Sequence, residues 1–298
     1  MNLKNITIAG SGVLGTQIAF QCAYHGYTVI LYDISDEALK KATSKFNTLQ
    51  DNFRKDLHAS EDNLKKAIDN ITYDSNLALA LENADLLIEA IPENPQIKSD
   101  FYKEAGKIAP EKTIFATNSS TLLPSQFAEA TGRGEKFLAL HFANDIWKRN
   151  TAEIMGHAGT DINVFNTIVE FAKTIGMIAL PIYKEQPGYI LNSLLVPFLN
   201  AATTLLIKGV ADIPTIDKTW MLATGAPLGP FAILDIVGIM TAFNINKIAA
   251  QATKDPLKIK TVEFLQENFI DKNKLGIATG EGFYKYPNPA YRDKDFLK

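Results

Sequence analysis

The chain has one cysteine, Cys22, among 298 residues, with two tryptophans and four histidines. A lone cysteine forms no internal disulfide, which fits a reducing compartment and points to a cytoplasmic protein. Cys22 falls on the apolar face of a helix, where it reads as core and not as a reactive thiol. Charge of one sign is also scarce: 30 basic residues meet 33 acidic ones, for a net charge of −3. No basic surplus exists to attract nucleic acid, and none is expected as a partner. The start of the chain lacks the basic, apolar and small-residue pattern of a leader, because Lys4 opens directly into a strand. Long apolar runs are missing as well, since none reaches the roughly 18 uninterrupted residues of a membrane helix. The longest candidate, Tyr189 to Ile207, carries Asn192, Ser193, Pro197, Asn200, Thr203 and Thr204. It reads as a buried, Pro-kinked helix, and no membrane partner is expected.

The most informative residues are the first 33. The apolar run Asn5–Ala9 enters Gly10-Ser11-Gly12-Val13-Leu14-Gly15, and a second run, Thr28–Tyr32, ends at Asp33. Strand, G-x-G-x-x-G turn, helix and an acidic strand end form the dinucleotide-binding fingerprint in its required setting. Gly10 permits the tight turn, Gly12 lets the backbone approach a pyrophosphate, and Gly15 lets the helix pack on the strand. The helix N-terminal amides then meet the phosphates. A carboxylate at Asp33 accepts bonds from ribose hydroxyls and repels a 2′-phosphate. The next basic residue is Lys40, so the pattern selects NAD(H) over NADP(H).

A content of 46% hydrophobic residues supports a substantial core. The first half alternates strands and helices, which predicts a mainly parallel Rossmann-type sheet with right-handed crossovers. After Asp33 a long helix, capped by Ser35 or Asp36, runs to about Leu57, and another begins near Ser60. This excursion is longer than the dozen or so residues that a plain crossover needs. Further strands are predicted at Ala84–Ile91, Thr113–Thr117, Phe137–Phe142, Thr151–Met155 and Ile178–Ile182, with helices over Gln96–Ala109 and Asp161–Ile175. At Lys184-Glu185-Gln186-Pro187-Gly188 the strand patterns stop. Helices are expected over Tyr189–Lys208, Pro214–Thr224, Pro230–Thr253 and Pro256–Phe269. Residues 1–186 therefore read as an NAD-binding Rossmann domain and 187–298 as an all-helical substrate and dimerisation domain.

Of the histidines, His25 and His58 read as surface residues. His141 ends the apolar strand Phe137–Leu140, and in an open α/β sheet the carboxyl ends of strands line the ligand crevice. Asn118-Ser119-Ser120 follows another strand and opens on the same edge. Glu153 lies in the next segment, and Asn192 sits on the helix that opens the second half. A histidine to move a proton, an acid to set its tautomer, and neutral groups to fix a carbonyl together suit carbonyl reduction beside a nicotinamide.

These residues resemble the 3-hydroxyacyl-CoA dehydrogenase family across nearly the whole chain. The matching runs are Gly10–Gly15, Glu89-Ala90-Ile91-Pro92-Glu93-Asn94, Thr117-Asn118-Ser119-Ser120-Thr121-Leu122, Leu140-His141-Phe142, Pro187-Gly188-Tyr189-Ile190-Leu191-Asn192, Gly229-Pro230-Phe231 and Gly280-Glu281-Gly282-Phe283-Tyr284. The resemblance implies catalytic roles for His141, Glu153, Ser120 and Asn192. It implies cofactor contacts at Gly10, Gly12, Val13, Leu14, Gly15, Asp33, Ile91, Glu93, Lys98, Asn118, Ser120 and Asn144, a small 3-oxo or 3-hydroxy substrate, no metal, and a homodimer joined through the helical domain.

The departures are equally specific. Where the family follows its catalytic His with Phe-Phe-Asn-Pro, this chain has Phe142-Ala143-Asn144-Asp145-Ile146-Trp147. The family's Ser and Lys for the CoA nucleotide fall on Leu49 and Asp56, and an Asp there repels a phosphate unless Arg54 and Lys55 compensate. A further family Lys falls on Ala278. The His141–Asn144 run and Trp147 are most similar to the bacterial diketoreductase branch, which puts CoA in doubt. The expected activity is NAD(H)-dependent interconversion of a 3-hydroxy and a 3-oxo compound, either a CoA thioester or a CoA-free β-keto or diketo ester. A gulonate-type sugar-acid dehydrogenase and a non-catalytic NAD-binding sensor are the alternatives.

Overall fold

The computed structural model describes residues 3–298, in two compact units that divide between Ile190 and Leu191. The first unit is built on an eight-stranded sheet in the order β3-β2-β1-β4-β5-β6-β7-β8. Its strands are β1 (Asn5–Ala9), β2 (Thr28–Tyr32), β3 (Ile71–Asp74), β4 (Leu86–Glu89), β5 (Ile114–Thr117), β6 (Phe137–Phe142), β7 (Thr151–Gly156) and β8 (Ile178–Ile182). All neighbours pair in parallel except β6 and β7. The helices are α1 (Val13–Tyr24), α2 (Asp36–Leu57), α3 (Glu61–Asp69), α4 (Leu77–Leu81), α5 (Pro95–Ile108) and α6 (Ile162–Thr174).

Successive strand residues face opposite layers. Leu86, Ile88, Ile114 and Ala116 join one core with α1, α2, α3 and α6, whereas Leu87, Phe115 and Phe137 join another with α4 and α5. Cys22 lies in the first of these cores, fully buried. His25 and His58 are exposed.

On α2 the Ser35 hydroxyl caps the helix by accepting from Ala38 N, with Asp36 and Glu37 in the first turn and Arg54 and Lys55 in the last. Its apolar stripe of Leu39, Ala42, Phe46, Leu49 and Phe53 is buried at helical spacing. Leu49 is thus a core residue. The strand β3 and the short α4 had no expectation in the sequence, and the predicted strand Ala84–Ile91 is confined to Leu86–Glu89. Ile71-Thr72-Tyr73-Asp74 is a short edge strand with its middle exposed, so it lacks the apolar run that reveals its neighbours.

The second unit is helical. Among the described residues it holds most of α7 (Tyr189–Ile207), then α8 (Ile213–Thr224), α9 (Pro230–Val237), α10 (Ile239–Thr253) and α11 (Pro256–Leu265), which runs into a π turn over Gln266–Ile270. The single helix expected over Pro230–Thr253 is broken: α9 and α10 meet at 95° across Gly238. The expectation of a buried α7 also fails, since 17% of its apolar window is buried. By length and composition α7 is long and apolar enough to cross a membrane. Leu191, Leu194 and Leu205 are exposed along it.

Two buried carboxylates knit this unit. Asp217 accepts from Phe231 N, Ala232 N and the Tyr284 hydroxyl, and Asp235 accepts from Phe283 N, Tyr284 N and the Tyr286 hydroxyl. Gly229 and Gly282 are therefore steric requirements. A Cβ at Gly229 would lie 2.2 Å from the Asp217 carboxyl carbon, and one at Gly282 would lie 2.0 Å from an Asp235 oxygen.

Candidate active site

The chain reverses its direction across the sheet between β1 and β4, and the Gly-rich turn lies at that switch point. Gly10 has φ +106°, and a Cβ there would sit 2.5 Å from the Ala90 carbonyl oxygen. A Cβ at Gly15 would lie 1.9 Å from the Gly10 oxygen, so α1 can only follow this turn closely with glycine present. Gly12, by contrast, faces open space with no atom within 4 Å of a built Cβ. It is the N-cap of α1 and no side chain caps that end. The first-turn amides around Val13 and Leu14 are left for an anionic ligand, and the residues fit a dinucleotide pyrophosphate.

Asp33 is already anchored. One carboxylate oxygen accepts from Ser11 N at 2.8 Å and Ser11 Oγ at 2.7 Å, the other from Ser35 N at 3.3 Å. Lys45, passed over in the sequence because it lies on the far side of α2's first turns, reaches back to donate to the Ser11 carbonyl at 2.7 Å.

At the end of β4, Glu89 is fully buried. It accepts from Lys98 Nζ, Ile91 N, the Tyr102 hydroxyl and Thr117 Oγ1. Lys98 is buried too, and its ammonium also lies 3.3 Å from Glu93. A buried charge is tolerated only when it is paired and hydrogen-bonded, and this group meets both conditions. Burial pushes the Glu93 carboxyl up, but bonds from Ser119 and Thr121 and the Lys98 charge outweigh it and hold the group below the usual glutamate range.

The carboxyl ends of β5 and β6 carry the remaining polar groups. Asn118 Oδ1 accepts from Phe142 N at 3.0 Å, a bond that splices the two strand ends beyond their last ladder pair. In the antiparallel register of β6 and β7, His141 stands directly opposite Glu153. His141 Nδ1 is 3.0 Å from Glu153 Oε2, and both side chains are buried. A carboxylate only accepts, so Nδ1 donates to Glu153, and Nε2 is the nitrogen turned to the Ser120 hydroxyl at 3.1 Å, free to carry or give up a proton there. Glu153 Oε1 in turn accepts from Ile190 N at 2.9 Å.

The Tyr189 ring, at 0% exposure, stacks on the imidazole with centroids 4.5 Å apart. Burial first, then the charges of Glu93, Glu153, Glu89 and Glu185, push its phenol far above the ordinary tyrosine range. Tyr189 stood inside a matched sequence run, but nothing in that run marked its ring as the wall of the histidine.

Ser120, His141 and Glu153 thus form one bonded line on the first unit. Asn144 is exposed just past β6. Asn192 lies half-buried near the start of α7, in the second unit.

The connection between β6 and β7 is tied to both neighbouring helices. Gln17 on α1 accepts from Asp145 N at 2.9 Å, and Asp145 takes φ +61°. Trp147 packs on Phe53 at 5.7 Å and donates its indole N–H to Asp56 at 2.9 Å, with Lys148 3.8 Å from the same carboxylate. Arg54 is committed elsewhere, to Glu61 and Asp51.

Residues 5–186 match the family model described as 3-hydroxyacyl-CoA dehydrogenase, NAD binding domain, and residues 188–286 match 3-hydroxyacyl-CoA dehydrogenase, C-terminal domain. The human mitochondrial hydroxyacyl-coenzyme A dehydrogenase is 34% identical over 290 residues, covering 95% of this chain and 91% of the human one. Among solved structures, a diketoreductase described by its substrate-directed dual catalysis of dicarbonyl compounds superimposes with a TM-score of 0.91. It is 52% identical, over 96% of this chain and 100% of its own. The (S)-3-hydroxybutyryl-CoA dehydrogenase of Ralstonia eutropha gives 0.85 at 27% identity, with 96% and 100% covered.

Proposed function

From a chain that belongs to the 3-hydroxyacyl-CoA dehydrogenase family, and is therefore an NAD-dependent dehydrogenase acting on CH–OH groups, we propose a ketoreductase that interconverts 3-oxo and 3-hydroxy compounds and does not depend on a CoA handle. The observation that carries the chemistry is the line Ser120–His141–Glu153, with one proton-bearing nitrogen committed to the carboxylate and the other turned to the hydroxyl.

Bound NADH supplies the hydride. The chain does the rest. The amides at Gly12–Leu14 hold the pyrophosphate, and Asp33 accepts from the adenosine ribose. Glu93, Lys98 and Asn144 would hold the ribose and nicotinamide end, with Ile91 and Asn118 as further cofactor contacts. In reduction, His141 Nε2 gives its proton to the developing alkoxide while Glu153, facing Nδ1, stabilises the imidazolium beforehand and holds the ring. The Tyr189 face keeps water from that side of the ring. Ser120 fixes the substrate oxygen, and Asn192 the reacting group, without adding charge. In oxidation His141 takes the proton back.

Freedom from CoA is supported by α2. Of the positions where the family resemblance places the nucleotide contacts, Leu49 is buried in the core and the Asp56 carboxylate is bonded to Trp147. The similarity to a diketoreductase supports the same reading. We further propose that the chain works in the cytoplasm as a homodimer through its helical unit, where Leu194, Val210, Leu222 and Ile248 are exposed. A substrate panel followed by NADH absorbance tests the reading: short β-keto and diketo esters are turned over beside acetoacetyl-CoA. Exclusive turnover of the thioester overturns it.

A further inference from the structure

The strands β6 and β7 pair only as far as Phe142 and Ala152, so the chain from Asn144 onward has no ladder to hold it. Its backbone amides must find acceptors elsewhere. Two of them converge on a single atom of another element: Gln17 Oε1 accepts from Asp145 N at 2.9 Å and from Ile146 N at 3.4 Å. Gln17 is 7% exposed and stands on α1, little more than one helical turn past the N-cap Gly12. Asp145 takes φ +61°, a conformation that a residue with a Cβ keeps only where its surroundings fix it. Its carbonyl then closes the turn by accepting from Lys148 N and Arg149 N, at 2.8 Å each.

We propose that Gln17 is a positioning residue for the cofactor: by holding the amides of Asp145 and Ile146, it sets where Asn144 stands at the nicotinamide end. The role rests on the reading of Asn144 as a cofactor contact given above.

Three physical facts bear on it. A buried amide side chain is costly unless it is hydrogen-bonded, and the two backbone donors satisfy the Gln17 oxygen while it satisfies them. The far side of the connection is tied to α2 through Trp147 and Asp56, whereas the Gln17 tie falls on the residue next to Asn144. Finally, α1 is the helix whose first amides are left for the pyrophosphate. One rigid helix thus carries the pyrophosphate site and also holds the turn beside the nicotinamide contact. A hydride donor displaced by about 1 Å loses on the order of a hundredfold in rate, so slack in that turn is expensive.

A turn-positioning residue and a residue that merely supports α1 give different signatures. ADP occupies the adenosine and pyrophosphate part of the site and has no nicotinamide. A damaged α1 weakens ADP and NADH alike, whereas a displaced Asn144 weakens NADH and spares ADP. The experiment measures Kd for ADP by calorimetry and for NADH by fluorescence, with kcat on whichever keto substrate the panel identifies. The variants are Gln17→Met, which keeps the length without the amide, Asn144→Ala, and Gln17→Met/Asn144→Ala. Both affinities are measured without substrate, so they are read whether or not the ketoreductase reading holds.

Gln17→Met is expected to raise NADH Kd by about threefold to tenfold, the worth of one hydrogen bond, and to lower kcat by about tenfold. ADP Kd moves by less than about twofold. In the Asn144→Ala background Gln17→Met costs little more in either quantity, because the two act as one unit. Equal weakening of ADP and NADH, parent-like NADH affinity and kcat, or losses that add in the double variant each overturn the proposal. Parent-like NADH affinity and kcat in Asn144→Ala alone instead overturn the cofactor reading on which it rests.

Discussion

The indole of Trp147, on the connection between β6 and β7, donates to the carboxylate of Asp56 on α2 at 2.9 Å. These are the two most unusual residues of their segments, and the structure makes them partners. The bond from Trp147 lowers the Asp56 carboxyl below its ordinary value; burial opposes this, and Lys148 and Lys55 add to the lowering. The carboxylate at the position where the resemblance puts a nucleotide contact thus ties the β6–β7 connection to α2.

Separating this tie from its charge gives the first prediction. In the unaltered enzyme a β-keto ester is reduced with kcat/KM within about tenfold of acetoacetyl-CoA. Asp56→Lys raises the thioester over the ester by roughly fivefold, the worth of an exposed charged contact near 1 kcal/mol. Asp56→Asn keeps an acceptor for the indole and moves the ratio by less than about threefold. Parallel kcat/KM series on the two substrates decide it, and a thousandfold preference for acetoacetyl-CoA in the parent enzyme removes the CoA-independent reading.

Cofactor choice follows from Asp33. NADH exceeds NADPH by at least about tenfold in kcat/KM, or about 1.4 kcal/mol, because the 2′-phosphate meets a carboxylate fixed by Ser11. Equal efficiency with both cofactors is the result that contradicts this.

His141→Gln lowers kcat by roughly two to four orders of magnitude, the range for loss of a general acid–base, and leaves NADH binding in place. Glu153→Gln lowers kcat as well, because the imidazolium loses its countercharge, while the bond from Ile190 N to a side-chain oxygen survives. Near-normal turnover in His141→Gln excludes that histidine from the proton transfer.

Acid stability depends in part on Asp85, which accepts from Lys4 N and Asn5 N at 2.9 Å each and pairs with Lys112. Burial raises its carboxyl, but the bonds from Lys112, Asn5 and Lys4 outweigh this and set it below its ordinary value of 3.8. A depressed folded-state value adds stability that is present above the unfolded value and fades as pH falls through the folded one. Asp85→Asn is therefore about 1–2 kcal/mol less stable than the parent at pH 7. The two converge below pH 3.8, as urea unfolding at a series of pH values will show.

The dinucleotide turn was legible in sequence because its constraints are local: one positive φ, two close approaches and an acid at the next strand end. The strands β6 and β8 were legible to the residue, being short apolar runs between clear breaks. What escaped notice depends on partners remote in the chain. Leu49 is core only because α2 lays its stripe on α1, and Tyr189 is a wall only because α7 starts beside His141. The break at Gly238 was hidden by apolar residues on both sides that keep a helical rhythm through the 95° turn. Glu93 was identified, but its four donors all lie 26 to 28 residues away, beyond any local pattern.

The direct opposition of His141 and Glu153 across an antiparallel pair has a consequence for how such an enzyme diversifies. The ladder, and not the intervening chain, sets their distance, and slipping the strands by one residue would turn one of the two side chains to the opposite face. Apart from Asn144, the residues between Phe142 and Thr151 can therefore change without altering the separation of His141 and Glu153. The connection that carries Trp147 is tied to α2 and not to the ladder, so its sequence can change while His141 and Glu153 stay opposite each other.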